Sequence, residues 1–106
     1  MHTLMNTTKK GSVRNIIFKE DDTWYGVALE FNIVESGDDP DIVNFNLQNA
    51  IQGYVESQQK IGGNRVSPLN QKADAEYEAL WKKLSTNKPI PSPIMVKHFG
   101  YTNVEV

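Results

Sequence analysis

Three aspartates fall within four positions of Glu35-Ser36-Gly37-Asp38-Asp39-Pro40-Asp41, beside a glycine and a proline. Carboxylates crowded in this way could hold a hard cation or pass a proton. A calcium loop of the EF-hand kind needs oxygen ligands at alternate positions, a glycine at the sixth and a glutamate at the twelfth. Counted from Asp39, Asp41 is suitably placed, but Asn44 occupies the glycine slot and the motif fails. An acid and base pair needs a pocket that drives two pKa values apart, whereas residues beside a proline at a helix start are usually solvated. Structure accounts for the stretch better. Gly37 takes a turn, Asp39 caps a helix, Pro40 fills the first helical position without losing a hydrogen bond, and Asp41 faces the positive end of the helix dipole. Asp38 is left without a task.

Other chemistries find less support. Asp21 and Asp22 fit a hairpin tip, where aspartate is favoured for its own backbone geometry. His2 and His98 are far apart, and neither is spaced against a second metal ligand. There is no G-x-S-x-G elbow, and Gly62-Gly63 is not followed by the G-K-[ST] that cradles phosphate. Cysteine is absent, which removes disulfides, thiol nucleophiles and zinc ribbons. No catalytic residue, cofactor site or metal site is expected, and the chain reads as a non-enzyme. A divergent metal nuclease would have to be built from Asp21, Asp22, Glu30 and Asp38, the only clustered carboxylates. Lys9, Lys10, Arg14 and Lys19 form one basic grouping and Lys82, Lys83 and Lys88 another. Neither is interleaved with aromatics as in RNA-recognition surfaces, so each reads as a solvated face.

Hydrophobic periodicity shows which elements must position these residues. Val13 to Lys19 and Trp24 to Phe31 are β-branched and aromatic runs on either side of Glu20-Asp21-Asp22-Thr23, a hairpin pattern. In the second run Tyr25, Val27, Leu29 and Phe31 alternate onto an apolar face that should be buried, and Trp24, Gly26, Ala28 and Glu30 onto the other. Asn32 to Ser36 adds a short third strand. The period then changes, with Val43, Leu47, Ala50, Ile51, Tyr54 and Val55 drawing one stripe on a helix from about Pro40 to about Gln59. The outward amides of that helix, among them Asn44, Asn46, Gln48, Asn49 and Gln52, mark either a face partly covered by a neighbour or, the preferred reading, composition drift on a solvated face. Lys60 to Leu69 reads as a loop. A second helix from near Asp74 to about Leu84 carries Ala73, Tyr77, Leu80, Trp81 and Leu84 on one side. Pro89, Pro91 and Pro93 then impose an extended path, and Ile94 to Phe99, continued by Gly100 and YTNVEV, reads as a last strand at a sheet edge or on a partner subunit, with Ile94, Val96 and Phe99 as the oligomer contacts.

The predicted class is α+β: a small antiparallel sheet packed by an amphipathic helix, then a second helix and a C-terminal strand. At 106 residues the chain has room for one domain, with 1–11 a flexible leader, 12–60 the core and 61–106 completing the same domain. Eleven basic residues against thirteen acidic ones give a net charge of −2, so no whole-chain field points to nucleic acid or an anionic membrane. The start lacks the apolar core of a signal peptide, no run is long enough to span a membrane, and a cytoplasmic location is expected.

Residues Val13 to Glu56, from VRNIIFKEDDTWYGVALEF to the end of NLQNAIQGYVE, resemble the N-terminal domain of HicB-type antitoxins. The resemblance lies in Trp24-Tyr25 on a strand, Gly37-Asp38 at the turn, and Val43, Leu47, Ala50-Ile51 and Tyr54 on the inner face of the helix. It implies a compact domain related to a partial ribonuclease H-like fold without nuclease activity. It also implies a protein that binds and occludes a small ribonuclease toxin of the HicA kind and assembles as a homodimer or tetramer. Exposed Glu30, Glu35 and Asp38 are the candidate partner-binding residues, placed to pair with the toxin's Lys and Arg. The helix-turn-helix or ribbon-helix-helix segment that members of the family often carry is not supported here, because one helix of about three turns followed by the proline run leaves no second helix. Direct DNA binding is therefore not expected. The alternative reading is a homo-oligomeric binding or scaffold module without a toxin partner.

Overall fold

The computed structural model describes residues 10–62 and 73–105. Its elements run β1 (Lys10–Glu20), β2 (Thr23–Ala28), β3 (Ile33–Gly37), α1 (Pro40–Gly62), α2 (Ala75–Ser85) and β4 (Met95–Glu105). The strands form one antiparallel sheet in the order β3-β2-β1-β4. The fold is thus α+β, with the first strand at the centre of the sheet and the last beside it.

β1 and β4 are longer than their apolar runs, whereas β2 ends at Ala28, three residues short of Phe31. β1 begins at Lys10, so Lys10 and Gly11 belong to the sheet, not to a leader. They are held by pairing with Glu105 and Val104 of β4, a long-range match that leaves no trace in local hydrophobicity. The leader's remaining residues, 1–9, lie outside the described residues. α1 likewise continues through Lys60 and Gly62, where a loop is expected from Lys60. Glycine near a helix end weakens a helix without forbidding it. The rest of that loop, 63–69, lies outside the described residues.

The β1–β2 hairpin closes over two residues, Asp21 and Asp22, with Glu20 opposite Thr23. Asp21 takes φ 58°, and Asn32 and Asn87 take 56°, the left-handed region that Asp and Asn tolerate best after glycine.

Alternation assigns each face of the sheet its own helix. Val13 and Ile17 of β1 and Ala28 of β2 pack with Val43, Leu47, Ile51 and Val55 of α1, while Ile16, Phe18, Val27 and Leu29 point the other way, into a cluster with Leu80 of α2 and with Ala73. The expected apolar face is buried, but under α2. The face carrying Trp24, Gly26 and Ala28 is buried as well, under α1. Its small residues are what let the helix approach: a Cβ built on Gly26 would lie 2.9 Å from Val43 Cγ1. Phe31 leaves the expected face, because the turn at Leu29 to Asn32 breaks the alternation and sends its ring to the α1 side, 4.8 Å from Tyr54 between centroids.

At the head of α1, Asp39 Oδ1 accepts from the N–H groups of Asp41 (2.8 Å) and Ile42 (3.3 Å). Asp39→Ala should lower stability by about 1 kcal/mol, readable as a shifted urea midpoint with an unchanged slope. An unmoved midpoint would show that solvent replaces the cap at no cost.

One run of amides is not drift. Asn15, 1% exposed, donates to Thr102 Oγ1 at 2.7 Å, Thr102 donates to Gln48 Oε1 at 2.8 Å, and Gln48 donates to Asn44 Oδ1 at 3.1 Å. This chain of hydrogen bonds ties the centre of the sheet, β4 and α1 together. Leaving the buried Asn15 amide nitrogen unpaired would be costly, so the bond to Thr102 also favours this register of the terminal strand against the first, while Asn15 Oδ1 has no hydrogen-bond partner among the described residues.

Candidate interaction surface

Arg14 lies on the α2 side of β1, one step past the last pair with β2, Asn15 opposite Ala28. There Glu30 turns back from the β2–β3 connection. Its Oε1 accepts from the Arg14 backbone N–H (2.8 Å) and its Oε2 from Nε (2.6 Å). From α2, Glu78 takes the two terminal nitrogens in a bidentate pair at 2.8 Å each. The guanidinium also lies 5.5 Å from the Trp81 ring centre. Hydrogen bonding to Glu78 raises its pKa above the ordinary arginine value, burial opposes this, and Glu30 adds to the rise. This charge is consumed within the fold.

Glu30 is consequently engaged by Arg14, with its side chain 16% exposed. Glu35 lies half-buried on the edge strand β3, and Asp38 is exposed just before the cap of α1. The structure therefore separates the three expected contact residues: one is paired internally and two remain at the β3 edge. Of the basic groupings, Arg14 is paired, Lys19 lies 5.8 Å over the Trp24 ring, and Lys82 and Lys83 occupy the last turn of α2, where they complement the helix dipole.

β4 borders the sheet on the side opposite β3. Ile94 and Val96 turn into the α2-side cluster. Phe99, 41% exposed, and Tyr101, 62% exposed, both stand edge-on to Trp81, with centroids at 5.7 and 5.4 Å. Met95 is 63% exposed. Trp81 falls on the expected side of α2, but its juxtaposition with Tyr101 escapes a reading of local pattern because it depends on the β1–β4 register and the placing of α2. On α1, Ile42 and Phe45 are also exposed.

Between α2 and the β1–β2 hairpin a cavity of about 240 Å³ is lined by Phe18, Glu20, Tyr25, Glu76, Tyr77, Leu80 and Ile94. Phe18 stacks on Tyr25 at 5.4 Å and lies 6.3 Å from Tyr77. Burial pushes the Tyr77 hydroxyl above its ordinary pKa of 10.0, and Glu76, Asp74, Tyr25 and Glu20 add to the rise. A phenol that ionises later in the folded chain holds its proton more tightly there. Its stabilising contribution is complete below about pH 10 and is lost as pH rises beyond that. Tyr77→Phe should therefore flatten part of the alkaline fall in stability, measured by denaturant titration at a series of pH values. An unchanged alkaline limb would contradict this.

Among the described residues, no group of three or more His, Cys, Asp or Glu is placed to hold a metal ion, and no helix is long and apolar enough to cross a membrane. Comparisons with family models, curated proteins and solved structures find no match.

Proposed function

We propose that the protein is a non-enzymatic, cytoplasmic binding protein of the HicB-like kind, which occludes the surface of a small ribonuclease toxin of the HicA kind. The observation that carries this reading is the run β1, β2, β3 and Asp39-capped α1 over the residues that bear the resemblance, with Val43, Leu47 and Ile51 buried on its inner face. Glu35 and Asp38, at the β3 edge, are the carboxylates available to pair with a basic partner. Glu30 is already held by Arg14. Co-expression with the adjacent small reading frame tests the proposal: the product of that frame should co-purify with this chain, and its growth arrest should be relieved. Absence of both effects would reject it.

A second reading is favoured by one observation, the large apolar side chains exposed along the border strand β4. In it the chain is a homo-oligomeric module whose β4 meets a second copy. Deleting β4 would also strip β1 of its neighbour, so substitution is the cleaner test. Tyr101→Arg should convert an oligomer to monomer in sedimentation, and an unaltered mass would remove β4 from the interface.

A further inference from the structure

We infer that the cavity between α2 and the β1–β2 hairpin is a binding site for an alkylammonium group. At about 240 Å³ it lies below the range of roughly 300–1,000 Å³ typical of sites for drug-sized ligands, which suits a single headgroup or side chain. Its lining is divided by chemistry. Leu80 and Ile94 supply an apolar wall, Phe18, Tyr25 and Tyr77 supply aromatic rings, and Glu20 and Glu76 supply carboxylates, with no Lys, Arg or His among the lining residues. Phe18 is 4% exposed and stacked on Tyr25, so the ring surfaces open to a ligand belong to the half-buried Tyr25 and Tyr77.

Rings attract a cation through their negative faces, and they do so more strongly where water is excluded. The carboxylates of Glu20 and Glu76 on the lining add a field of the same sense. A neutral apolar ligand would use the rings and Leu80 but gain nothing from Glu20 and Glu76. An anion would be repelled by both. The alkylammonium group is the chemistry that engages every part of the lining. The inference stands apart from the toxin-binding reading, since the cavity can be tested without any partner.

The test is a titration of the full chain, followed through the ring resonances of Tyr25 and Tyr77, with two cationic probes and one neutral control. The cations are choline and N-acetyl-lysine-N-methylamide. The control is the isostere of choline in which a tert-butyl group replaces the trimethylammonium head. Saturable shifts with a cation are expected, with the control weaker by about fivefold or more. Glu20 and Glu76 are both exposed, so the E20Q/E76Q double variant should keep the fold while weakening the cation by about threefold or more. Binding of the lysine derivative alone would identify a protein side chain as the source of the group, and binding of choline alone a small quaternary amine. Equal binding of the neutral control, an undiminished affinity in the double variant, or no saturation with either cation would each overturn the inference.

Discussion

Arg14→Leu should destabilise the protein by about 3 kcal/mol, a large share of the total for a domain of this size. The loss comes less from the missing attraction than from what is left behind. Glu30, 16% exposed, and Glu78 would face one another across the α2 side of β1 with no cation between them. Full burial would put the figure at about 3–5 kcal/mol, and the 20% and 38% exposure of Arg14 and Glu78 argues for the lower end. Neutralising the carboxylates in the same chain should recover much of it. Glu30→Gln keeps an oxygen for the Arg14 backbone N–H, so the triple variant Arg14→Leu/Glu30→Gln/Glu78→Gln should be more stable than Arg14→Leu alone. Urea unfolding of the two variants decides the matter. A single-variant loss below about 1 kcal/mol would mean that the cluster behaves as a solvated surface pair.

The second large effect concerns Gly26. Its added Cβ would meet Val43 Cγ1 at 2.9 Å, Ile17 Cδ1 at 3.1 Å and Leu47 Cδ2 at 3.3 Å. The Ile and Leu atoms are ends of longer side chains and can yield, but Val43 is stiff at χ1. Its other methyl, Cγ2, lies over Gly37, 3.2 Å from where a Cβ on that glycine would be. Gly26→Val should therefore cost about 3 kcal/mol, at the upper end of the range for overpacking. Gly26→Ala is the gentler probe. Combined with Val43→Ala it should lose about 1 kcal/mol less than the sum of the single variants, because the second change makes room for the first. Strict additivity in thermal or urea unfolding would place the clash elsewhere.

The same two sites show how far a reading of residues reaches. The hairpin, the third strand, the Asp39 cap and the stripe of α1 were legible because each is written in a local run: alternation, a turn residue or a heptad-like spacing. What escaped was the value of smallness. Gly26 and Ala28 read as the less apolar side of β2, whereas a helix can approach a sheet closely only where side chains are short. Arg14 escaped for another reason. Its partners lie 16 and 64 positions away, and its only local sign is a charge beside Val13 and Ile16 on a strand that is otherwise buried at its centre. The start of β1 at Lys10 and the aromatic group of Trp81, Phe99 and Tyr101 depend equally on pairing with β4. The cavity at Tyr77 is likewise made by three segments, the hairpin, α2 and the residue before β4, that no periodicity relates. Of the expected contact residues, Glu30 has its carboxylate spent on Arg14, and among Ile94, Val96 and Phe99 the first two pack inward while Phe99 is exposed.

The placing of β1 against β4 has a consequence for synthesis on the ribosome. When α1 has emerged, β1, β2 and β3 can already be covered on one side, but Ile16, Phe18, Val27 and Leu29 must wait for α2 and for the segment leading into β4. Until then the nascent chain carries a bare apolar surface and an unpaired strand, the combination most prone to sticking to its neighbours. A chain terminated after α1 would keep that surface bare.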